Sequence, residues 1–311
     1  MSDTPVPPPP RRRPDWWPYV VFTFLALQGL LYAMPHQRPG FAGLVCWLFG
    51  SDSLLWLVIA GAIGLYAFVK ALVRRPFWTR WRVAGGIGLV VLLLSPMAFR
   101  VYPSSHANRP SQVRFRLPFD GPITVGWGGD APGVNYHVCT PDQRWAYDLL
   151  VTRDGSSHRG DGTTLDDYYC YGLPVVAPAD GVVVRVFDGD PDMPVGVLGG
   201  GTDPGGNHLV LKVAEDEFLF LCHLQPGSIA VQVGDSVRTG DVLAKIGNSG
   251  NTSEPHLHIH LQDTPESTFG EGIPLYFHGY RTGDQLIDRG MPTGGVSFDG
   301  FTGQIVEHVE E

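Results

Sequence analysis

Three long apolar runs open the chain, and short alternation fills the remainder. Residues 17–34, 54–73 and 83–101 are almost unbroken in hydrophobic side chains. Each comes close to the roughly 20 residues an α-helix needs to cross a bilayer, so residues 17–103 are expected to form a membrane region with three spans. The first run carries Gln28 and ends at Pro35, which makes a signal peptide the competing reading. Against that stand the lack of a small-residue cleavage site and the two further spans.

From Gln112 onward no long helical period appears. Short apolar runs are cut by Gly, Pro and Asp, the pattern of an all-β domain built on antiparallel sheet, placed at 112–275 with a C-terminal extension at 276–311. Strands are expected at 134–138, 145–151, 174–177, 181–188, 208–213, 218–223, 241–246 and 256–262. Pro178-Ala179-Asp180-Gly181 and Val233-Gly234-Asp235-Ser236 read as turns. The polar, Gly-rich stretch 188–206 reads as a mobile loop at one end of the sheet, where binding residues often sit.

Charge divides the chain at the same place. The first 111 residues hold 11 Lys and Arg against 3 Asp and Glu, and the rest holds 11 against 28. An acidic back half offers no cationic surface to phosphates, which argues against nucleic acid as a partner. In the front half Arg11, Arg12 and Arg13 precede the first span and Arg74, Arg75, Arg80 and Arg82 separate the second from the third, while the intervening loop has only Arg38. The positive-inside rule then puts the N-terminus and the second loop in the cytoplasm and everything after about Pro103 outside. Trp16, Trp17, Trp78 and Trp81 sit at span edges, as interfacial aromatics do. Residues 1–16, rich in Pro and Arg, are expected to be a disordered cytoplasmic tail. An oxidising exterior permits a Cys139–Cys170 disulfide, and Cys222, inside an apolar run, is the candidate to remain a thiol.

The most informative stretch is Pro255-His256-Leu257-His258-Ile259-His260. Alternate residues of a strand share a face, so the three imidazoles form a row, and imidazole is both the commonest metal ligand and the usual base near neutral pH. A solvated histidine strand is the bland alternative. Asp148 lies in an apolar strand where an unpaired charge is costly, which favours a ligand role. For His223, also in an apolar run, a hydrogen-bonded core histidine is the alternative.

Taken in order, Gly172-Leu173-Pro174-Val175-Val176-Ala177-Pro178, Gly181-Val182-Val183, Gly206-Asn207, Cys222-His223-Leu224, Val233-Gly234-Asp235-Ser236-Val237 and His256-Leu257-His258 resemble the successive motifs of the lysostaphin/LytM-type zinc endopeptidases, over about residues 115–265. The resemblance implies a LytM/lysostaphin-like fold, Zn2+ as cofactor, and hydrolysis of peptide bonds in bacterial peptidoglycan; it says nothing about the spans, and it is the apolar runs and the arginine bias that imply a protein of the inner (cytoplasmic) membrane whose C-terminal domain is periplasmic or otherwise extracytoplasmic. It implies zinc on Asp148 and His258, with His256 and His223 as catalytic histidines, His256 as base and His223 stabilising or protonating the tetrahedral intermediate. His260 falls where the family often has Glu and is expected to support the site. Leu221 replaces a family Tyr. Arg144 stands where the family has its first zinc-binding His.

For the missing ligand the sequence offers His137. Val134–Cys139, the turn-prone Thr140-Pro141-Asp142-Gln143 and Arg144–Asp148 read as a hairpin with a four-residue loop. That register puts His137 diagonal to Asp148 on one face. Arg144 shares the face and is expected to hold a substrate carboxylate, its permanent charge ruling out ligation. Asn135 and Asn207 lie near the site by motif position, with substrate contact or turn chemistry as their roles. Two other functions compete. One is a zinc-free LytM-like scaffold that regulates partner cell-wall hydrolases, supported by Arg144. The other is a lipoyl- or biotinyl-like carrier, which needs an exposed Lys at a hairpin tip, whereas Lys245 sits within a strand.

Overall fold

The computed structural model describes residues 15–267, 269–297 and 300–309. The expected tail at 1–16 lies outside the described residues except for Asp15 and Trp16. The chain divides into two compact units, residues 1–37 with 45–99, and residues 38–44 with 100–311.

The first unit is helical. Its elements are α1 (Trp17–Gln37), α2 (Phe41–Ser51, which begins in the second unit), α3 (Ser53–Val73) and α4 (Arg80–Leu94), the last running into a 3-10 turn at Ser95–Ala98. Three of these helices are long and apolar enough to cross a membrane. Leu54, Leu65, Phe68 and Leu72 remain exposed on α3, as side chains that meet lipid do. Helix α4 packs on α1 through glycine: a Cβ at Gly85 would lie 2.5 Å from Trp17, and one at Gly88 2.8 Å from Val21, the small-residue contact that lets apolar helices approach closely. Asp52 caps α3 by accepting from the Leu55 N–H at 3.0 Å, and Thr79 caps α4 by accepting from Arg82 at 3.1 Å, each satisfying a first-turn donor.

The second unit has no α-helix among its described residues from Arg100 onward. Its strands are β1 (Ile123–Trp127), β2 (Tyr147–Leu150), β3 (Pro174–Val176), β4 (Gly181–Phe187), β5 (His208–Ala214), β6 (Glu217–Cys222), β7 (Ser236–Val237), β8 (Val242–Lys245), β9 (Leu257–Gln262), β10 (Phe277–Thr282), β11 (Gln285–Gly290), β12 (Val296–Ser297), β13 (Gly300–Phe301) and β14 (Ile305–His308). Ten of them form one antiparallel sheet in the order β11-β10-β14-β1-β2-β9-β6-β5-β4-β7, with β3 and β8 forming a separate pair. Residues set apart in the sequence as a C-terminal extension thus belong to the main sheet: β14 pairs with β1, and β10 pairs with both β14 and β11.

Period-two alternation explains how the sheet positions chemistry. Tyr147 and Leu149 of β2, Leu257, Ile259 and Leu261 of β9, Leu219 and Leu221 of β6, and Leu209 and Leu211 of β5 enter one hydrophobic core. Their neighbours Asp148, His258, His260, Cys222, Phe220 and His208 are therefore carried to the other face. Register then sets who meets whom: Asp148 and Cys222 both pair with His258 across the ladder, and Phe220 pairs with His260.

Two expectations fail here. Residues 134–138 are not a strand: Tyr136–Cys139 is a 3-10 turn whose cap, Asn135, accepts from the His137 N–H at 3.1 Å, a local side-chain bond that competes with ladder pairing. Nor does a disulfide join Cys139 to Cys170. The exposed Cys139 thiol faces the Tyr136 carbonyl, and the buried Cys170 thiol donates to the Pro255 carbonyl at 3.0 Å. The stretch 188–206 lacks strands, as expected, but it is pinned by buried Asp190, which accepts from Thr202 and Asp203.

Candidate metal centre

Three donor groups from separate segments converge on the polar face of the sheet. Asp148 of β2, His258 of β9 and His137 of the 3-10 turn have ligand atoms all within 4.8 Å of one another, and all three residues are buried. Asp148 Oδ1 lies 2.8 Å from His258 Nδ1, and Oδ2 lies 3.6 Å from His137 Nε2. The turn that presents His137 is braced from behind, where the Tyr102 N–H donates to the Val138 carbonyl at 2.7 Å.

The surrounding hydrogen bonds assign a tautomer to each ring. Gln262 Nε2 donates to the carbonyls of Thr264 and Glu266 at 2.8 and 2.7 Å, so its Oε1 accepts from His260 Nε2 at 3.1 Å. His260 is kept neutral chiefly by burial, which pushes its pKa well below the usual imidazole value. Its Nδ1 must then accept, and His258 donates to it from Nε2 at 3.1 Å. His258 Nδ1 is then the atom turned toward Asp148. On the other side, Asn135 Nδ2 donates to the carbonyls of Gly129 and Ala146, so its Oδ1 accepts from His137 Nδ1 at 2.9 Å. Burial pushes the His137 pKa down to about 3, so its Nε2 is bare and faces Asp148.

Two imidazole lone pairs directed at a carboxylate repel one another unless a cation lies among them. A proton on His258 would relieve only one of the two contacts. Burial alone would raise the Asp148 pKa, and it takes positive charge beside the carboxylate, on the adjacent rings or on a cation among them, to hold it well below its ordinary range. Two imidazole nitrogens, their rings held by outer hydrogen bonds, and one carboxylate oxygen are a donor set that suits zinc with an open coordination position.

Two more histidines flank the cluster. His256 donates from Nδ1 to the Glu254 carbonyl at 2.8 Å, and its Nε2 lies 3.6 Å from Asp148 Oδ1. His223 follows β6 with φ of 62°, a left-handed conformation that non-glycine residues adopt rarely and mostly at functional sites. Its Nδ1 donates to the Ser249 carbonyl at 2.8 Å, its ring centroid lies 4.7 Å from that of His256, and burial pushes its pKa well below the usual value. The loops behind it touch closely, since a Cβ at Gly206 would lie 2.2 Å from the Ser249 carbonyl oxygen, so glycine is required there. Two clefts, of about 290 and 440 Å³, open at the cluster and share Tyr136, His223 and Asn251 in their walls.

The sequence-derived site is partly rearranged. His137, Asp148, His258, His256 and His223 come together, but His137 arrives on the 3-10 turn and not on the anticipated hairpin. Arg144 lines neither cleft. Its guanidinium is held by Asp130 at 2.6 Å and lies over the Trp145 ring at 4.5 Å, because the chain before β2 is a turn and shares no strand face with Asp148. Asn135 is fully buried and orients His137 where substrate contact was anticipated; Asn207, also fully buried, donates to the carbonyls of Asp190 and Leu224. Sequence reasoning missed Gln262 and Tyr102. The two-residue spacing of Gln262 from His260 on β9 was the available signal for the first, while Tyr102 gave none.

Asn135→Leu should leave the sheet intact and weaken zinc binding by about 10- to 100-fold, the usual cost of losing a contact that orients a ligand. Competition with a metallochromic chelator measures this, and unchanged affinity would mean that the ring of His137 is held in place without Asn135.

Comparison with known proteins places these residues in a wider setting. Among curated proteins, Endolysin 2638A of Staphylococcus phage 2638A is 39% identical over 62 residues, which are 20% of this chain and only 13% of the endolysin. Among solved structures, similarity extends to a mutant catalytic domain of the prophage-encoded M23 protein EnpA from Enterococcus faecalis (19% identity, 51% of this chain, 94% of that chain, TM-score 0.34). It extends also to the catalytic domain of lysostaphin from Staphylococcus simulans (20% identity, 48% and 86%, TM-score 0.29) and to a zinc containing peptidase from Vibrio cholerae (22%, 48% and 36%, TM-score 0.30). Residues 162–268, which hold β3 to β9 and with them His223, His256 and His258, match the model of peptidase family M23; the chain carries a peptidase M23 domain behind three long apolar helices.

Proposed function

We propose that this protein is a membrane-anchored zinc metalloendopeptidase that hydrolyses peptide bonds of bacterial peptidoglycan outside the inner membrane. The observation that carries the reading is the convergence of His137, Asp148 and His258, whose ligand atoms all lie within 4.8 Å of one another in a buried cluster. His137, Asp148 and His258 would hold the ion. Zinc, when bound, would polarise the scissile carbonyl and lower the pKa of the attacking water. His256, whose Nε2 lies 3.6 Å from Asp148 Oδ1, would accept a proton from that water. His223 Nε2 provides a second acceptor close by, and whichever ring is protonated becomes a donor to the departing amine nitrogen. Burial keeps His223 weakly basic, so it gives a proton up readily. Outer contacts fix every ring beforehand, which avoids reorganisation during the reaction.

The competing scaffold reading drew its support from Arg144. With His137 as donor, position 144 is not needed for ligation, and the scaffold is not favoured. The test uses the full-length protein in detergent with purified peptidoglycan. New amino termini should be released, suppressed by a chelator and restored by zinc. A zinc-loaded protein that releases none would refute the peptidase and favour the scaffold.

A further inference from the structure

The 440 Å³ cleft is walled by apolar side chains that neither hold the metal nor move a proton. Exposed apolar residues scattered singly are ordinary. Here Tyr136, Leu198 and Val296, which are 54, 66 and 43% exposed, border one cleft together with half-buried Trp127 and Phe301. A cluster of exposed apolar side chains of this kind marks a binding surface. The same cleft contains His256, His223 and Asp148, so whatever it binds lies beside the reacting bond.

The wall is built into the fold next to the metal centre. Trp127 stands opposite Asp148 in the β1–β2 ladder, so the two side chains share a face, and the Trp127 ring meets that of Tyr136 edge-on with 5.2 Å between centroids. Val296 and Phe301 are opposed in the β12–β13 pair and share a face in the same way. Their two arms, 293–297 and 300–304, are clamped to β1: the Gly295 N–H donates to the Gly126 carbonyl at 2.6 Å, the Gly294 N–H to the Gly128 carbonyl at 3.1 Å, and the Val125 N–H to the Gln304 carbonyl at 2.9 Å. Glycine permits that approach, since a Cβ at Gly294 would lie 2.7 Å from the Val125 carbonyl oxygen. A Cβ at Gly126 would lie 3.0 Å from Leu150 and 3.6 Å from Phe301, which shows how closely these side chains gather on the strand that carries Trp127. Leu198 comes from the loop 188–206 and is fixed through its neighbours: the Gly196 N–H donates to the Ser253 carbonyl and the Gly199 N–H to Asn251 Oδ1, each at 2.8 Å.

Polar groups of the lining are engaged locally. The Thr252 hydroxyl donates to the Glu254 carbonyl at 2.7 Å, and the Glu254 carboxylate accepts from the Ser157 hydroxyl at 2.5 Å. No Lys or Arg lines the cleft.

We infer that this cleft is a specificity subsite for an aliphatic or aromatic side chain on the residue adjoining the scissile bond, seated against Trp127, Leu198, Val296 and Phe301. A glycine at that position would leave these side chains in water, whereas a larger apolar residue covers them. Trp127, Val296 and Phe301 all lie outside residues 162–268, the part that matches the peptidase family, so selection is supplied largely by segments that flank the matched part. The inference rests on the peptidase reading and narrows it to bonds flanked by such a side chain, against bonds between glycines.

Glycine hydroxamate and leucine hydroxamate, which chelate zinc through two oxygens and differ only in the side chain, are the probes. Equilibrium binding of each is measured on the zinc-loaded full-length protein in detergent, with zinc content determined on the same preparation. The leucine compound should bind at least about 10-fold more tightly, the effect of burying one apolar side chain. In the double variant Leu198→Ser with Val296→Ser, at exposed positions that need not disturb folding, this preference should fall by at least about 4-fold, the worth of one buried methylene, while zinc content stays unchanged. Equal binding of the two compounds, no binding of either at millimolar concentration, or a preference untouched by the double substitution would overturn the subsite and leave the peptidase reading in place. A folded protein that takes up no zinc would end both.

Discussion

Replacing His137 with alanine is expected to release the zinc and abolish hydrolysis together. The reason is a count of donors. At the position where the sequence resemblance implied a first histidine ligand this chain has Arg144, committed to Asp130 and Trp145, so Asp148 and His258 would be left alone. A carboxylate and one imidazole do not complete the three-ligand set of a catalytic zinc site. The affinity loss should exceed roughly 10²-fold, the upper end of what removing a merely orienting contact costs. Arg144→Ala is the control and should retain its zinc, since the guanidinium touches neither the cluster nor its clefts. Full zinc occupancy in His137→Ala would remove His137 from the ligand set, and an empty site in Arg144→Ala would contradict a metal centre independent of position 144.

His256→Ala should behave in the opposite manner, keeping its metal while hydrolysis falls by roughly 10²- to 10⁴-fold, the range for a lost acid or base. Its Nε2 stands 3.6 Å from Asp148 Oδ1, which is near enough to serve the reaction but outside the group of donors that converge on one point. His223→Ala should show the same separation of metal content from rate. Zinc content and turnover measured on the same preparation decide the matter, and loss of zinc in His256→Ala would exchange its role with that of His258.

Much of this site was legible because a strand has a period of two. His258 and His260 had to share a face once β9 was recognised, and an aspartate amid Tyr147, Leu149 and Leu150 had to be partnered. The 3-10 turn was not legible. Val134-Asn135-Tyr136-His137-Val138 alternates well enough to pass for a strand, and only the side chain of Asn135, folded back onto the His137 N–H and ring, selects the turn. His137 was thus placed beside Asp148 through an incorrect register. The same blindness to tertiary contacts made Asn135 and Arg144 look like substrate contacts, since polarity near a motif does not reveal whether a side chain points into a cleft or into its own backbone.

The C-terminal strands escaped for a related reason. Strand β11 is mostly exposed and polar, and β14 is short. Neither carries the apolar alternation of a covered strand, and the pairing of β14 with β1 joins residues far apart in sequence. The tautomer chain from Gln262 through His260 to His258 was invisible for want of distances, although the spacing of its members on β9 was on view.

The measurement that bears most directly on the account is the zinc content of the purified full-length protein, by elemental analysis after dialysis against metal-free buffer. One zinc per chain is predicted, falling to none in His137→Ala, Asp148→Ala or His258→Ala. A wild-type protein that remains folded and takes up no zinc would contradict the account and favour the scaffold.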